Sequence, residues 1–308
     1  MPSNNLFCVV WMVTYNHENY IAKAIESVIN QKTNFGYKLF IGDDHSADKT
    51  IAICESYAVK YPDKIELVVN DANIGSHNNG VKTYNRVFQS SAKYIAILDG
   101  DDYWCDENKL QKQVDFLEAN PEYVLSFHKI KILEDGQLIE DNITKVPENY
   151  QSIDTLASLG NYIHTPSVVF RNVIKEFPEE FSKSSIGDYF LYMILAQHGK
   201  IMHLEDTMAV YRKNSGIWSS MNLFQRRYKT AIAHALLYKY FSRQRNKEIT
   251  EIFFGRVTDF INDFSQNLSY KQIREIVNSA GNKKIYFSLF FKNIAKPKSL
   301  LKIILAAL

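Results

Sequence analysis

An apolar block, Leu6 to Val13, breaks off at Thr14-Tyr15-Asn16, and the same figure returns three more times. Lys38 to Gly42 runs into Asp43-Asp44-His45-Ser46, Ile65 to Val69 into a polar stretch holding Asn73, and Tyr94 to Leu98 into Asp99-Gly100-Asp101-Asp102. Short apolar, partly β-branched runs of this kind predict buried strands. Tyr20, Ile21, Ala24, Ile25, Val28 and Ile29 follow the first run at helical spacing, with Asn16 or Asn19 as cap. A second helix opens at Asp48 and stops before Pro62, and a third covers Val81 to Phe88. Strand and helix alternating in this way predict an α/β fold with a doubly wound, mostly parallel sheet. Ligands bind outside the carboxyl ends of such strands. Tyr15, Asp43, Asp44, Asn73 and Asp99 to Asp102 are therefore expected to meet in one crevice.

Downstream, Glu107 to Glu118 is an amphipathic helix and Tyr123 to Leu133 a strand. Glu134 to Asp154 is polar and turn-rich, and is expected as a flexible loop on the acceptor side. His164 to Asn172 reads as a short strand returning to the sheet. Ile186 to Lys200 starts with Gly-Asp and continues as an apolar helix, so Asp188 stands at a helix N-terminus, where the dipole favours its charge. A plain N-cap is the alternative there. Tyr211 to Ser220 has the glycine and serine content of a mobile loop over a site, with Arg212 and Lys213 facing phosphates or solvent. From Met221 the pattern is helical: Phe224 to Arg243, Ile249 to Phe264, and a capping box of Ser269 and Gln272 before Ile273 and Ile276. Two domains are expected, 1–220 and 221–308.

Composition narrows the class. With 46% hydrophobic residues in 308, the chain has ample material for a core, and a net charge of +2 gives no basic excess that would point to nucleic acid. Cys8, Cys54 and Cys105 form no CxxC pair and no zinc spacing, which fits packing residues in a reducing compartment. No basic, apolar leader or membrane-spanning run is present, so the expected location is cytoplasmic. The last stretch differs. Between Lys283 and Leu308 there are six lysines and no acidic residue, mixed with Phe, Leu and Ile. That mixture, with lysines unaccompanied by acids, fits a helix lying in an anionic membrane interface, on the inner face of the plasma membrane, ahead of the alternative of a terminal helix packed on the body.

The chemistry concentrates at Asp99, Asp101 and Asp102. Carboxylates this close repel one another unless a cation holds them, and hard oxygen ligands on a short turn suit Mg2+ or Mn2+ with further ligands from phosphates. A solvated acidic turn is the other reading. An EF-hand does not fit, because the sixth position from Asp99 is Trp104 and the twelfth is Leu110. Neither GxGxxG after the first strand nor GxxxxGK[ST] occurs, so a nucleotide would be held by carboxylates, aromatics and a metal.

The blocks "VVWMVTYNHENYIAKAIESVINQ", "FIGDDHSADKT", "NIG" and "YIAILDGDDYW" resemble, in order and spacing, those of the family-2 glycosyltransferases, inverting enzymes with the GT-A fold. "TPSVVFRN", "GDYFLYMILAQHGK" and "YRKNSGIWS" are similar to bacterial members that build surface polysaccharide and lipid-linked glycans. The resemblance covers residues 6 to 220. It implies a nucleotide-sugar donor, with UDP the first expectation, and a glycan or lipid-linked acceptor. Thr14 and Tyr15 would line the nucleoside pocket, with Asn16 and Asn73 as further donor contacts. Asp44 would meet the base beside Asp43, Asp99 the ribose, and Asp101 and Asp102 the metal. Asp188 matches the catalytic base. Where relatives carry His and paired Gly in the last block, this chain has Asn214 and a single Gly216. The basic residue for the diphosphate has Lys82 and Arg86 as candidates. A nucleotidyltransferase would need a glycine-rich basic loop that "VTYNHENY" lacks. A non-catalytic carbohydrate-binding protein is the remaining alternative; it requires that no nucleotide binds.

Overall fold

The computed structural model describes residues 6–213, 218 and 221–308. Strand β1 (Cys8–Thr14) is buried along its length except for the half-buried Val13. Helix α1 (Ile21–Ile29) presents Ile21, Ala24, Ile25, Val28 and Ile29 to the same apolar cluster as Val10 and Met12 of β1. β2 (Tyr37–Asp43), α2 (Thr50–Lys60), β3 (Ile65–Val69), α3 (Ser76–Gln89) and β4 (Tyr94–Asp99) repeat the unit. β1 pairs in parallel with β2 and β4, and β2 with β3. The resulting order β3-β2-β1-β4 reverses its direction of growth at β1. A crevice therefore opens at the carboxyl ends of β1, β2 and β4. Register sets Thr14 beside Asp43 and Val13 beside Asp99.

The chain continues through β5 (Tyr103–Trp104), α4 (Lys109–Ala119), β6 (Tyr123–Glu134), β7 (Gln137–Glu140), α5 (Ile153–Leu159), β8 (Val169–Arg171), α6 (Glu179–Lys183), α7 (Gly187–Leu195) and β9 (Lys200–Arg212). β8 lies between β4 and β6 and is antiparallel to both; β6 and β9 are parallel, and β5 closes on β9. Among the described residues the sheet has nine strands.

Three expectations are corrected here. The segment Glu134 to Asp154, expected as a flexible loop, folds back as the β6–β7 hairpin through Asp135 and Gly136, both at positive φ, as a two-residue turn requires. Asp141 then locks the next turn by accepting hydrogen bonds from Ile143 N, Thr144 N and Thr144 Oγ1, and it pairs with His164 Nε2 at 2.9 Å. Burial alone would raise its carboxyl pKa, but the His164 and Thr144 hydrogen bonds outweigh that and hold it well below the ordinary range. Helix α3 begins at Ser76, five residues before the apolar signal, because its first turns are anchored by polar contacts to β2. Asn79 Nδ2 donates to Gly42 O at 2.8 Å, and a Cβ on Gly42 would come within 1.8 Å of Thr83 Oγ1. Finally, Cys105 is exposed, so only Cys8 and Cys54 pack inside.

The chain divides into two units, one of Met1–Leu156, Asn161–Phe177 and Tyr192–Ser220, the other of Ala157–Gly160, Pro178–Leu191 and Met221–Leu308. The second unit is helical. α8 (Leu223–Arg243) and α10 (Tyr270–Ala280) start in capping boxes, Asn222 with Gln225 and Ser269 with Gln272, and α9 (Lys247–Phe264) lies between them in sequence. Glu180 of α6 is fully buried and is held by Arg243 Nη1 at 2.7 Å and Lys239 Nζ at 3.6 Å. The lysine-rich end forms two helices, α11 (Lys284–Lys292) and α12 (Pro297–Ala307), because Pro297 cannot continue the first.

Candidate active site

The two carboxylates that end β2 are occupied by their own loops. Asp43 accepts from Ser46 N at 2.8 Å and Ser46 Oγ at 2.6 Å, which closes the turn into α2. Asp44 reaches the loop after β3: Oδ1 accepts from Asn70 Nδ2 at 3.0 Å and Ile74 N at 2.9 Å, and Oδ2 from Gly75 N at 2.8 Å. Asn70 also donates to Asn79 Oδ1 at 3.1 Å, tying this loop to α3. Asp44 is 1% exposed, yet its two oxygens keep acceptor capacity beyond three bonds. The loop that it shapes carries Asn73, which is exposed and accepts from Gly75 N at 3.1 Å.

At the end of β1, Thr14 is buried and its hydroxyl lies 3.1 Å from His17 Nδ1, while Tyr15 is 38% exposed. Asn16 adopts φ 55°, a left-handed conformation that Asn tolerates, and this turns its side chain to accept from Ala47 N at 2.8 Å. Its own N–H donates to Ser46 Oγ at 2.9 Å. The β1 and β2 loops are thus one hydrogen-bonded wall, with Tyr15 the exposed large apolar residue on it.

The acidic turn lies against the end of β1, where Gly100 N donates to Val13 O at 2.9 Å. Gly100 is required there, since a Cβ would come 2.7 Å from Thr14 Oγ1 and 3.0 Å from His17 Nδ1. Asp101 is 9% and Asp102 2% exposed. Arg212 clasps the turn: its backbone N–H donates to Asp102 Oδ1 at 2.7 Å, its Nε to the Asp101 carbonyl at 2.9 Å, and its guanidinium sits over the Tyr20 ring at 4.3 Å. Asp102 Oδ2 is buried with no hydrogen-bond partner. Burial first, then the charges of Asp101 and Asp99, push the Asp102 carboxyl well above the ordinary carboxylate range. An orphaned carboxylate oxygen among three aspartates is the donor set that an oxygen-seeking divalent cation would relieve. Among the described residues no group of three or more His, Cys, Asp or Glu is arranged around one metal position. A cation held here would need phosphate and water oxygens to complete its shell.

Behind the turn the structure becomes apolar. Trp104 is buried, donates from Nε1 to Pro166 O at 2.9 Å, and carries Lys109 Nζ 4.2 Å from its ring centroid. Lys109 is fully buried and bonds Gln113 Oε1 at 2.7 Å; desolvation brings its pKa down to about 7.

Thr14, Tyr15, Asn16, Asp43, Asp44, Asn73 and Asp99 to Asp102 all belong to the sheet unit, gathered at the ends of β1 to β4. Asp188, half-buried in the first turn of α7, belongs to the helical unit. Lys82 and Arg86 lie exposed on α3, beyond the end that meets Asp44. Asn214 and Gly216 fall outside the described residues. Asn70, Ser46 and Arg212 are the residues whose roles the linear reading does not reach. The only sign of the first two is a polar position in the stretch that follows an apolar run.

The model of glycosyl transferase family 2 matches residues 9–178. An uncharacterised Mycobacterium tuberculosis protein is 33% identical over 227 residues, 73% of this chain and 64% of that protein, so the match spans under two thirds of that relative. Among solved structures, S. aureus TarS 1-349, determined in complex with UDP-GlcNAc, has a TM-score of 0.61 at 17% identity, covering 98% of this chain and 90% of that one. The mannosyltransferase PcManGT from Pyrobaculum calidifontis, in complex with GDP-Man and Mn2+, has a TM-score of 0.54 at 15% identity over 99% of this chain and 87% of that one. The mixed sheet and its topological switch at β1 agree with these glycosyltransferase folds. On the extent of the family match, the chain belongs to glycosyl transferase family 2.

Proposed function

We propose that this protein transfers a sugar from a nucleoside diphosphate donor, UDP-linked in the first instance, to a hydroxyl of a surface glycan or lipid-linked glycan, with inversion. The observation that carries the reading is Asp102 Oδ2, buried and unpartnered beside Asp99 and Asp101 at the carboxyl end of β4. Nucleotide sugars in TarS and in PcManGT, the latter with Mn2+, support a donor of this class. Tyr15 offers its exposed ring to the base, with Asn16 and Asn73 at the rim. Asp44 accepts a base N–H with its remaining acceptor capacity, and Asp43 holds the loop that presents it. Asp99 accepts from the ribose hydroxyls. Asp101 and Asp102 would hold Mn2+ or Mg2+, which when bound stabilises the negative charge of the departing diphosphate. Asp188 takes the proton from the acceptor hydroxyl as its oxygen bonds to the anomeric carbon. The bond from that carbon to the phosphate oxygen breaks on the opposite side, so configuration inverts and the nucleoside diphosphate leaves. The helix N-terminus favours the ionised form that Asp188 needs for this role.

Calorimetric titration with UDP, GDP, CDP and dTDP, with and without Mn2+, tests the donor reading. One nucleotide is expected to bind in a metal-dependent way. Absence of binding by the folded protein overturns the reading in favour of a non-catalytic one. Asp188→Asn is expected to keep donor binding and lose turnover; a variant that turns over normally removes Asp188 as the base.

A further inference from the structure

The helices α11 and α12 divide their side chains sharply. Ile285 and Leu289 of α11, and Ser299, Ile303 and Ala306 of α12, are buried within the helical unit. The opposite stripes are bare. Phe287, Phe291 and Ile294 are 69%, 58% and 62% exposed, and Leu301, Leu305 and Leu308 are 58%, 42% and 89% exposed. The spacing puts Phe287 and Phe291 on one face of α11 and Leu301 and Leu305 on one face of α12, and Ile294 and Leu308 follow just beyond the two helix ends. Of the eighteen large apolar side chains exposed among the described residues, eight lie between Phe287 and Leu308, a concentration that scattered surface residues do not produce.

Charge identifies the occupant. Lys283, Lys284, Lys296 and Lys298 are exposed around these stripes, and no acidic residue occurs from Lys283 to the end. Lys292 and Lys302 are engaged, with Asp259 and with the carbonyls of Ser265 and Gln266, and so fasten the pair to its own unit. Arg274 bonds the carbonyls of Leu305 and Ala306, and beside it a cleft of about 480 Å³ is lined by Lys183, Lys239, Lys271 and Arg274 with Glu275 as its one acid, so the lining carries a positive excess although Lys239 is shared with Glu180. A second copy of this face would set lysine against lysine, whereas an anionic bilayer complements both the charge and the apolar stripe. The helices have nine and eleven residues, too short to cross a bilayer, and no described helix is long and apolar enough to do so.

We propose that α11 and α12 form a docking surface for an anionic phospholipid bilayer, lying in the plane of the interface with Phe287, Phe291, Leu301 and Leu305 in the acyl boundary and the lysines at the phosphates. This surface is independent of the donor site. The test is co-sedimentation of the full chain with vesicles of phosphatidylcholine alone or with 30% phosphatidylglycerol, at low and high salt. Wild type is expected to partition onto the anionic vesicles, and about tenfold less strongly at high salt. Phe287→Ser with Phe291→Ser and Leu301→Ser, and separately Lys283→Gln with Lys284→Gln, Lys296→Gln and Lys298→Gln, are each expected to lower partitioning about tenfold with unchanged circular dichroism. Failure of the wild type to bind anionic vesicles overturns the proposal. So does equal binding by both folded variants, or a lipid-free dimer that the apolar variant dissolves. Vesicle binding by a chain that binds no nucleoside diphosphate leaves this surface standing and removes the transferase reading alone.

Discussion

Two aspartate pairs, Asp43-Asp44 and Asp101-Asp102, follow buried parallel strands of one sheet and read alike in the sequence, yet their surroundings differ. The first pair is embraced by donors: Ser46, Asn70 and the N–H groups of Ile74 and Gly75 satisfy both carboxylates. In the second, Asp102 receives the Arg212 N–H on one oxygen while the other is buried without a partner, and a third aspartate stands two residues from Asp101. A carboxylate with a donor on each oxygen builds walls. An unsaturated one among like charges stores a repulsion that a cation can relieve. The same two letters thus supply the scaffold of the pocket in one loop and its reactive edge in the other.

The largest effect separating the pairs is on activity. Asp101→Asn is expected to reduce Mn2+-dependent transfer about a hundredfold or more with the melting temperature unchanged or raised; turnover at the wild-type rate removes the metal role. Asp44→Ala, besides losing the base contact proposed for it, should act on stability. It takes the acceptor from Ile74 N and one of two acceptors from the Asn70 amide and from Gly75 N, for a loss of about 2 kcal/mol in urea unfolding. If Asp101→Asn destabilises the fold as much as Asp44→Ala does, the two pairs are equivalent and the comparison fails.

A smaller effect lies behind the acidic turn, at Lys109. Its pKa falls from 10.5 in the unfolded chain to about 7 in the fold, so the unfolded state binds more protons between those values. Stability therefore rises with pH across that window and is flat below it, by about 2 kcal/mol from pH 7 to pH 9. Lys109→Met, which keeps the volume, should abolish the rise; an unchanged slope would show that the lysine stays charged beside Trp104. The smallest effect is expected for Arg212→Lys, which keeps the backbone bond to Asp102 and loses the side-chain bond to the Asp101 carbonyl. Metal-dependent nucleotide affinity should drop about tenfold, and equal affinity would make the clasp irrelevant to the site.

Parts of this arrangement were open to reading from the chain alone. β4 spans Tyr94–Asp99, its apolar run and the first aspartate after it, because a strand buried between two neighbours must be apolar throughout. Ser269 and Gln272 cap α10 as their spacing requires. The start of α3 was hidden, because Ser76 to Gly80 has no apolar period and is held by Asn79 against Gly42. The Asp135-Gly136 turn carried a hairpin signal that the polarity of the flanking residues masked. Burial of Lys109 and Glu180 was equally illegible, since charged residues are ordinarily outside; Glu180 is held by the distant Arg243, and Lys109 is enclosed by packing around Trp104 and Gln113.

What the sequence by itself determined is where each strand ends and which polar residues stand there, since apolar runs and their interruptions are local properties. Which of those residues close on one another was decided only by tertiary structure. The Asp44 bond to Gly75 spans 31 positions and the Arg212 bond to Asp102 spans 110. Pairings that distant exist only after β2 has paired with β3 and β5 with β9. Whether a carboxylate is then saturated or orphaned depends on which donors that packing brings within about 3 Å, and no local pattern records it.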